Sequence, residues 1–330
     1  MDMNPMVSVV IPTFNGEKYL EDAILSVFAQ TYKDYELIIV DDGSKTREVE
    51  KICKKYYDRL KYIRQENRGI SAARNNGIVN SNGKYIALLD DDDLWAPEKL
   101  EKQVKYYEEL KRQGRNVGLI YTGHQVIGED NEVQSSFLYK SSGYNYKILL
   151  FIDFIGTPSS VMVDKAVLDD VGTFDEALAR SQDFDLWLRI AEKYEIYSIN
   201  EFLIKYRNRA GSFSKQPDIK VRCTNLVLGK MLADASLDVG VKNKLVEHHR
   251  KVNALRIKNI AYEHLFIKND GKVFREYIRR GYAIDKRYFG VRVLIYYLFS
   301  FISPELCGKI KGLKKEKAKE FIVDVKSLKY

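Results

Sequence analysis

Four consecutive aspartates, residues 90–93, stand directly behind an unbroken apolar run, Tyr85-Ile86-Ala87-Leu88-Leu89. Five such residues without alternation fit a strand buried on both faces, inside a mostly parallel sheet covered by helices. The aspartates then mark the strand's carboxyl end. Adjacent like charges repel and raise one another's pKa, so folding chemistry alone explains the cluster poorly. A hard divalent cation removes the difficulty, because Mg2+ is held by one or two carboxylates completed by phosphates. Ligands of open α/β sheets also collect beyond the carboxyl ends of strands. The competing expectation is a solvated acidic turn that starts the next helix, with Asp93 and Pro97 as suitable residues.

The preceding chain alternates strands with helices. Val7-Ser8-Val9-Val10-Ile11 is a β-branched run closed by Pro12, and Asn15-Gly16 marks a turn. Tyr19, Leu20, Ala23, Ile24, Val27 and Phe28 recur at helical spacing. Glu36-Leu37-Ile38-Ile39-Val40 is a second buried strand, with Asp41 and Asp42 at its exit. A charged helix over 46–57, a strand over 60–64 and a helix over 70–79 lead to the strand at Tyr85. Such alternation predicts βαβ units, a parallel sheet and right-handed crossovers. A helix starts at Pro97 and carries Leu100, Val104, Tyr107 and Leu110. Beyond residue 115 the alternation fails. Strands over 117–121 and 133–139, a turn and strand over 157–163, a helix over 184–194 and an extended segment over 195–206 predict a mixed α+β half.

Charge divides the 330 residues unevenly. Residues 215–330 hold 26 Lys and Arg against 12 Asp and Glu, whereas residues 1–214 hold 28 against 34. The expectation is an acidic catalytic domain over 1–214 and a mainly helical, basic extension over 215–330 that leans on an anionic surface. Residues 293–303 are uncharged and very apolar, too short for the roughly 20-residue helix that spans a bilayer. Six lysines follow within 309–319. That pairing, within 291–330, suits in-plane binding to an anionic leaflet, and equally a buried terminal helix with a solvated tail. Cys53, Cys223 and Cys307 are scattered and odd in number, which favours a reducing compartment over a disulfide framework. The N-terminus lacks a basic leader, so no signal peptide is expected.

Four blocks stand in order along the chain: Val9-Val10-Ile11-Pro12-Thr13-Phe14-Asn15, Ile39-Val40-Asp41-Asp42-Gly43-Ser44, Asn67-Arg68-Gly69-Ile70-Ser71-Ala72-Ala73-Arg74-Asn75 and Leu89-Asp90-Asp91-Asp92-Asp93-Leu94-Trp95. A looser fifth is Ser181-Gln182-Asp183-Phe184-Asp185-Leu186-Trp187. Across roughly residues 6–210 the chain resembles a family 2 glycosyltransferase of the GT-A fold. That resemblance implies a Rossmann-like α/β domain and inverting transfer of a sugar from a nucleotide diphosphate.

Residue chemistry is compatible with each block. Pro12, Thr13 and Asn15 leave the first strand where a nucleotide base would meet backbone groups and the Thr13 hydroxyl. No G-x-G-x-x-G follows, which counts against a dehydrogenase. Asp41 can accept a hydrogen bond from a pyrimidine N–H, while Asp42 and Ser44 are candidate caps. Asn67, Arg68, Gly69 and Arg74 gather at a helix start that attracts phosphate. The resemblance puts the base contact at Asp41 and Arg74 in the donor pocket. It makes Asp92 the foremost ligand of Mg2+ or Mn2+, with Asp90 or Asp91 addressing the ribose or a metal-bound water. It makes Asp183 the general base, with Asp185 as fallback and Gln182 where an acid is common. Thr157-Pro158-Ser159-Ser160 would border the acceptor cleft. Arg209 replaces a frequent His, so Arg207 or Arg209 is expected to pair with the diphosphate.

The expected protein is a cytoplasmic, metal-dependent transferase, peripheral on the inner membrane face if the tail binds lipid. Its partners would be a nucleotide-sugar donor and a saccharide or lipid-linked acceptor. One alternative is a sugar-1-phosphate nucleotidylyltransferase, which wants Arg and Lys in the first loop; residues 12–16 offer neither. The other is a nucleic-acid-binding protein using the basic tail, but residues 309–319 hold no stacking aromatic.

Overall fold

The computed structural model describes residues 4–209, 217–301 and 319–324. Residues Met1–Ser212 with Lys317–Tyr330 form one compact unit, and Phe213–Glu316 another.

The first unit opens with strand β1 (Val7–Thr13), helix α1 (Leu20–Phe28), β2 (Tyr35–Asp41), α2 (Glu48–Lys54), β3 (Lys61–Arg64), α3 (Ile70–Val79) and β4 (Tyr85–Leu88). β1 lies between β2 and β4, both parallel to it, and β3 extends the sheet parallel to β2. Every residue of β1 and β4 is buried, as their apolar runs require. Leu20, Ala23, Ile24 and Val27 of α1 pack with Val9, Ile11, Leu37 and Ile39 of the strands. α3 approaches β1 so closely that a Cβ on Gly77 would lie 2.3 Å from a Val10 methyl. Only glycine permits that approach.

Winding then changes. β5 (Leu94–Trp95), α4 (Lys99–Arg112), β6 (Val117–Ile127), β7 (Val133–Lys140), α5 (Tyr146–Leu149), β8 (Met162–Asp164), α6 (Lys165–Val171), α7 (Gln182–Lys193) and β9 (Glu195–Arg207) follow. β8 joins the halves, running antiparallel to both β4 and β6. β9 is parallel to β6 and antiparallel to β5, while β7 pairs antiparallel with the end of β6. The resulting α/β fold has a parallel half, where the first block residues sit, and a mixed half that carries α7.

In the second unit α8 (Pro217–Ala233), α9 (Val239–Phe266), α10 (Gly271–Ile284) and α11 (Val291–Phe299) are helical. Asp238 and Asp270 cap α9 and α10, accepting from the Val241 and Val273 amides at 3.0 Å each. Ala254, Ala261, Leu265, Phe274, Ile278, Val293 and Tyr296 close their core. The expectation of a mainly helical 215–330 omitted one strand. β10 (Lys319–Asp324) returns to the first unit and pairs parallel with β7. Its Phe321-Ile322-Val323 run favours extended backbone, and β7 offers an open edge. Among the lysines of 309–319, those before Lys319 lie outside the described residues. Among the described residues no helix is long and apolar enough to cross a membrane.

Candidate active site

Carboxyl ends of β1, β2 and β4 converge, and the acidic quartet stands there with each carboxylate differently engaged. Arg74, the fifth residue of α3, is only 2% exposed and its Nη2 lies 2.5 Å from Asp90 Oδ1. Its guanidinium also covers the Phe174 ring, 5.2 Å from the centroid. The Arg74 Nε and Nη1 are buried and, among the described residues, lack a hydrogen-bond acceptor. The Thr13 hydroxyl donates to Asp91 Oδ2 at 2.6 Å. Asp92 faces Arg209, whose Nε lies 2.5 Å from Oδ2. Asp93 is wholly buried: Oδ1 accepts from the Arg207 amide at 2.9 Å and Oδ2 from the Ser159 hydroxyl at 2.6 Å.

Burial dominates the electrostatics. It raises the Asp91 carboxyl to about 7, helped by the neighbouring Asp92 charge. It raises Asp92 to about 6 against the pull of Arg209. Asp93 is driven well above the carboxylate range by burial and then by repulsion from Asp92 and Asp90. These are groups that positive charge would stabilise.

At the end of β2, Asp41 is fully enclosed. The Ser44 amide donates to Oδ1 at 2.8 Å, while Tyr62 Oη and Arg64 Nη1 donate to Oδ2 at 2.7 and 2.6 Å. Parallel register sets Arg64 directly opposite Asp41. Asp42 performs the capping job that its sequence context allowed, accepting from the Arg68 amide at 2.9 Å and the Gly69 amide at 2.8 Å ahead of α3. Gly69 takes φ of 90°, open to glycine without strain. Asn67 Nδ2 donates to the Asp42 carbonyl at 2.9 Å. Pro12 is buried in β1, and Asn15 holds the 44–45 turn through its amide to Ser44 Oγ and its Oδ1 to the Lys45 amide. Arg68 is exposed and pairs with Glu176.

Asp183 starts α7 behind Ser181, whose φ of 57° is left-handed for a non-glycine residue. Such backbone concentrates at functional sites. The Asp183 carboxylate is half-buried and, among the described residues, accepts locally from the Phe184 amide at 2.8 Å. Asp185, by contrast, is buried and paired with Arg189, which clamps the Val171, Gly172 and Thr173 carbonyls. That pairing ties Asp185 to the packing of α7 and leaves Asp183 the more accessible of the two carboxylates. Phe174 links this region to the quartet, touching the Trp187 ring edge-on at 6.3 Å while Arg74 covers its face.

Two other expectations change. Arg207 does not face a diphosphate: it is 3% exposed, donates to the Asp92 carbonyl at 3.0 Å and Asn131 Oδ1 at 2.7 Å, and covers the Tyr19 ring. Its length and five donors suit it to tie three segments together. Thr157, Pro158, Ser159 and Ser160 are buried rather than open to a cleft. Ser159 Oγ accepts from the Asp90 amide at 3.0 Å while donating to Asp93, and the Ser159 carbonyl accepts from Trp95 Nε1 at 2.8 Å. This turn buttresses the acidic loop. Sequence reading gave Ser159 a different role and missed Tyr62, Arg64 and the tight packing at Gly16; a Cβ on Gly16 would meet Asp91 Oδ2 at 1.9 Å and Thr13 Oγ1 at 2.4 Å. The Arg64 at the exit of a neighbouring parallel strand was the one readable signal among them.

Among the described residues no group of three or more His, Cys, Asp or Glu side chains is arranged to hold a metal ion alone. The donor set nevertheless fits Mg2+ or Mn2+: Asp92 and Asp90 offer hard oxygens, burial lifts the pKa of Asp92, and a phosphate-bound cation needs only one or two carboxylates.

The fold and this strand-end cluster define a glycosyltransferase of the GT-A type. More narrowly, the chain belongs to glycosyl transferase family 2, whose model matches residues 8–172. An uncharacterized glycosyltransferase of Rickettsia prowazekii is 30% identical over 279 residues, 82% of this chain and 82% of that one. A UDP-Glc:alpha-D-GlcNAc-diphosphoundecaprenol beta-1,3-glucosyltransferase of Escherichia coli is 31% identical over 212 residues, 63% of this chain and 79% of that one. Some relatives are much longer; the chain spans 31% of a Rickettsia bellii glycosyltransferase with which it shares 34% identity over 217 residues, 64% of this chain. Among solved structures, residues 1–349 of Staphylococcus aureus TarS in complex with UDP-GlcNAc match with a TM-score of 0.61 at 18% identity, covering 86% of this chain and 84% of that one.

Proposed function

We propose that the chain transfers a sugar, with inversion, from a nucleotide diphosphate to an acceptor hydroxyl of a saccharide or lipid-linked saccharide. The observation that carries this is the meeting of Thr13, Asp41, Arg74 and the quartet at one sheet edge. The Thr13–Asn15 turn, Asn67 and Gly69 form the nucleoside side, and Asp41, enclosed by Ser44, Tyr62 and Arg64, joins it when one of those donors yields to the base. Arg74 supplies Nε and Nη1, which lack an acceptor among the described residues, as donors for phosphate oxygens, and Asp90 and Asp91 address the ribose or an ordered water. Asp92, with Asp90, would hold Mg2+ or Mn2+, which when bound offsets charge on the departing nucleotide. Asp183 takes the acceptor's proton as its oxygen attacks the anomeric carbon, and the bond to the diphosphate breaks on the opposite face. One displacement inverts the centre without a covalent sugar–enzyme intermediate.

A lipid-linked acceptor is supported by the E. coli relative's activity, and would put the enzyme on the cytoplasmic membrane face. The test is donor turnover with a panel of nucleotide sugars, with and without Mn2+. Full turnover by both Asp92→Ala and Asp183→Asn would sink the reading.

A further inference from the structure

α11 is apolar on two opposite faces. Val293 and Tyr296 are buried against α9 and α10, where Tyr296 meets Tyr262 and Phe266 edge-on at 6.0 and 5.1 Å. The other face holds Val291 (74% exposed), Leu294 (56%), Ile295 (45%) and Leu298 (56%), continued by Phe301 (60%). Spacings of three and four residues make these a single stripe along the helix. Scattered exposed apolar residues are ordinary; a contiguous row of five, on a helix already packed by its opposite side, marks a docking surface.

Charge beside the stripe says what it docks on. The Arg275 guanidinium covers the Phe301 ring at 4.1 Å and donates to the Ser300 carbonyl, and Arg279 Nε donates to Tyr297 Oη at 3.0 Å. Arg275 and Arg279 of α10 therefore flank α11. Arg280 of α10 is exposed, as is Lys286 in the connection that precedes α11, while the exposed Arg287 there pairs with Asp285 and Glu247. In sequence the helix is followed by Lys309, Lys311, Lys314, Lys315 and Lys317. A protein partner's apolar groove would not call for that many cations. An anionic bilayer takes both at once: apolar side chains enter the acyl boundary while Arg and Lys stay at the headgroups.

We propose that α11 lies in the plane of an anionic lipid surface, inserting Leu294, Ile295, Leu298 and Phe301 between arginine-bearing flanks. Binding of lipid is separable from catalysis, so this stands or falls independently of the transferase mechanism.

The test is sedimentation of the full chain with vesicles of phosphatidylcholine containing about a third phosphatidylglycerol, against pure phosphatidylcholine, at low and high salt. Wild type should partition onto anionic vesicles on the order of tenfold better than onto neutral ones, less so at high salt. Leu294→Glu/Leu298→Glu alters only exposed positions, and circular dichroism would check that its helices remain. It should lose on the order of tenfold or more in partitioning. Arg280→Glu should weaken binding to anionic vesicles and leave the neutral ones unchanged. Equal partitioning of wild type and the Leu294→Glu/Leu298→Glu variant would overturn the proposal. So would a self-association in analytical ultracentrifugation that the same variant abolishes while vesicle binding is absent, since the stripe would then serve a second copy.

Discussion

Arg209 Nε stands 2.5 Å from the Asp92 carboxylate, so a cation of the protein's own occupies the face of the foremost candidate metal ligand. Guanidinium cannot ligate a metal, but it competes for the same oxygens and can pair with a diphosphate instead. Arg209→Ala should therefore have two opposite effects. The Mn2+ concentration giving half-maximal turnover should fall, because Asp92 loses its competitor. At saturating Mn2+, kcat/KM for the donor should drop about tenfold or more as one charge-assisted phosphate contact disappears. A metal titration of turnover reads both, and an unchanged metal midpoint would remove Arg209 from the site's electrostatics.

Among the described residues Asp183 has no hydrogen bond beyond its own helix start, whereas Asp185 is locked by Arg189. Asp183→Asn should lower kcat by about 10²–10⁴, the usual worth of general-base help, while calorimetry finds donor affinity unchanged. Asp185→Asn should act instead on stability, lowering the thermal midpoint with a smaller effect on kcat. Reversal of that pattern would reassign the base.

No side chain fits at Gly16. Gly16→Ala sets a methyl against Asp91 Oδ2 and Thr13 Oγ1, so the 2.6 Å hydrogen bond between them must break or the turn must move. Overpacking of this kind costs about 1–3 kcal/mol in urea unfolding. Displacing the acidic loop should cost on the order of 10²-fold in turnover.

Ser159 bridges the Asp90 amide and Asp93 Oδ2. Ser159→Ala leaves both buried groups without that partner, a loss of about 1–3 kcal/mol in denaturant unfolding. If the turn lined an acceptor cleft instead, stability would hold and only the acceptor KM would rise.

His249 of α9 is 8% exposed, and burial, then the charges of His248 and Arg256, depress its pKa to about 4. Unfolding releases it to the ordinary value of about 6.5, so the unfolded chain binds the extra proton. Its contribution is nil well above pH 6.5 and grows unfavourable as pH falls toward 4. Between pH 8 and pH 5 it should destabilise the helical unit by about 2 kcal/mol. Helical ellipticity followed through denaturant titrations at the two pH values measures this, and His249→Gln should flatten the difference.

Local chemistry was legible in the residues themselves. Apolar runs without alternation could only be interior strands, so β1, β2 and β4 and the carboxylates at their exits followed from order alone, as did α3 over 70–79. The four blocks carried the family. What the chain does not spell out is which carboxylate meets which cation, because that depends on contacts between residues far apart in sequence. Arg74 reaches Asp90, Arg209 reaches Asp92 and Ser159 reaches Asp93 across 16, 117 and 66 positions. Arg207 and Arg209 look alike as a sequence pair; β9 leads one into the interior and leaves the other beside the quartet. Likewise β10 closes an edge whose vacancy no local pattern announces. Periodicity and charge determined the elements and the kind of chemistry at their ends, since both act between near neighbours. Packing decided the pairings, since burial alone makes an unpaired charge costly enough to select its partner.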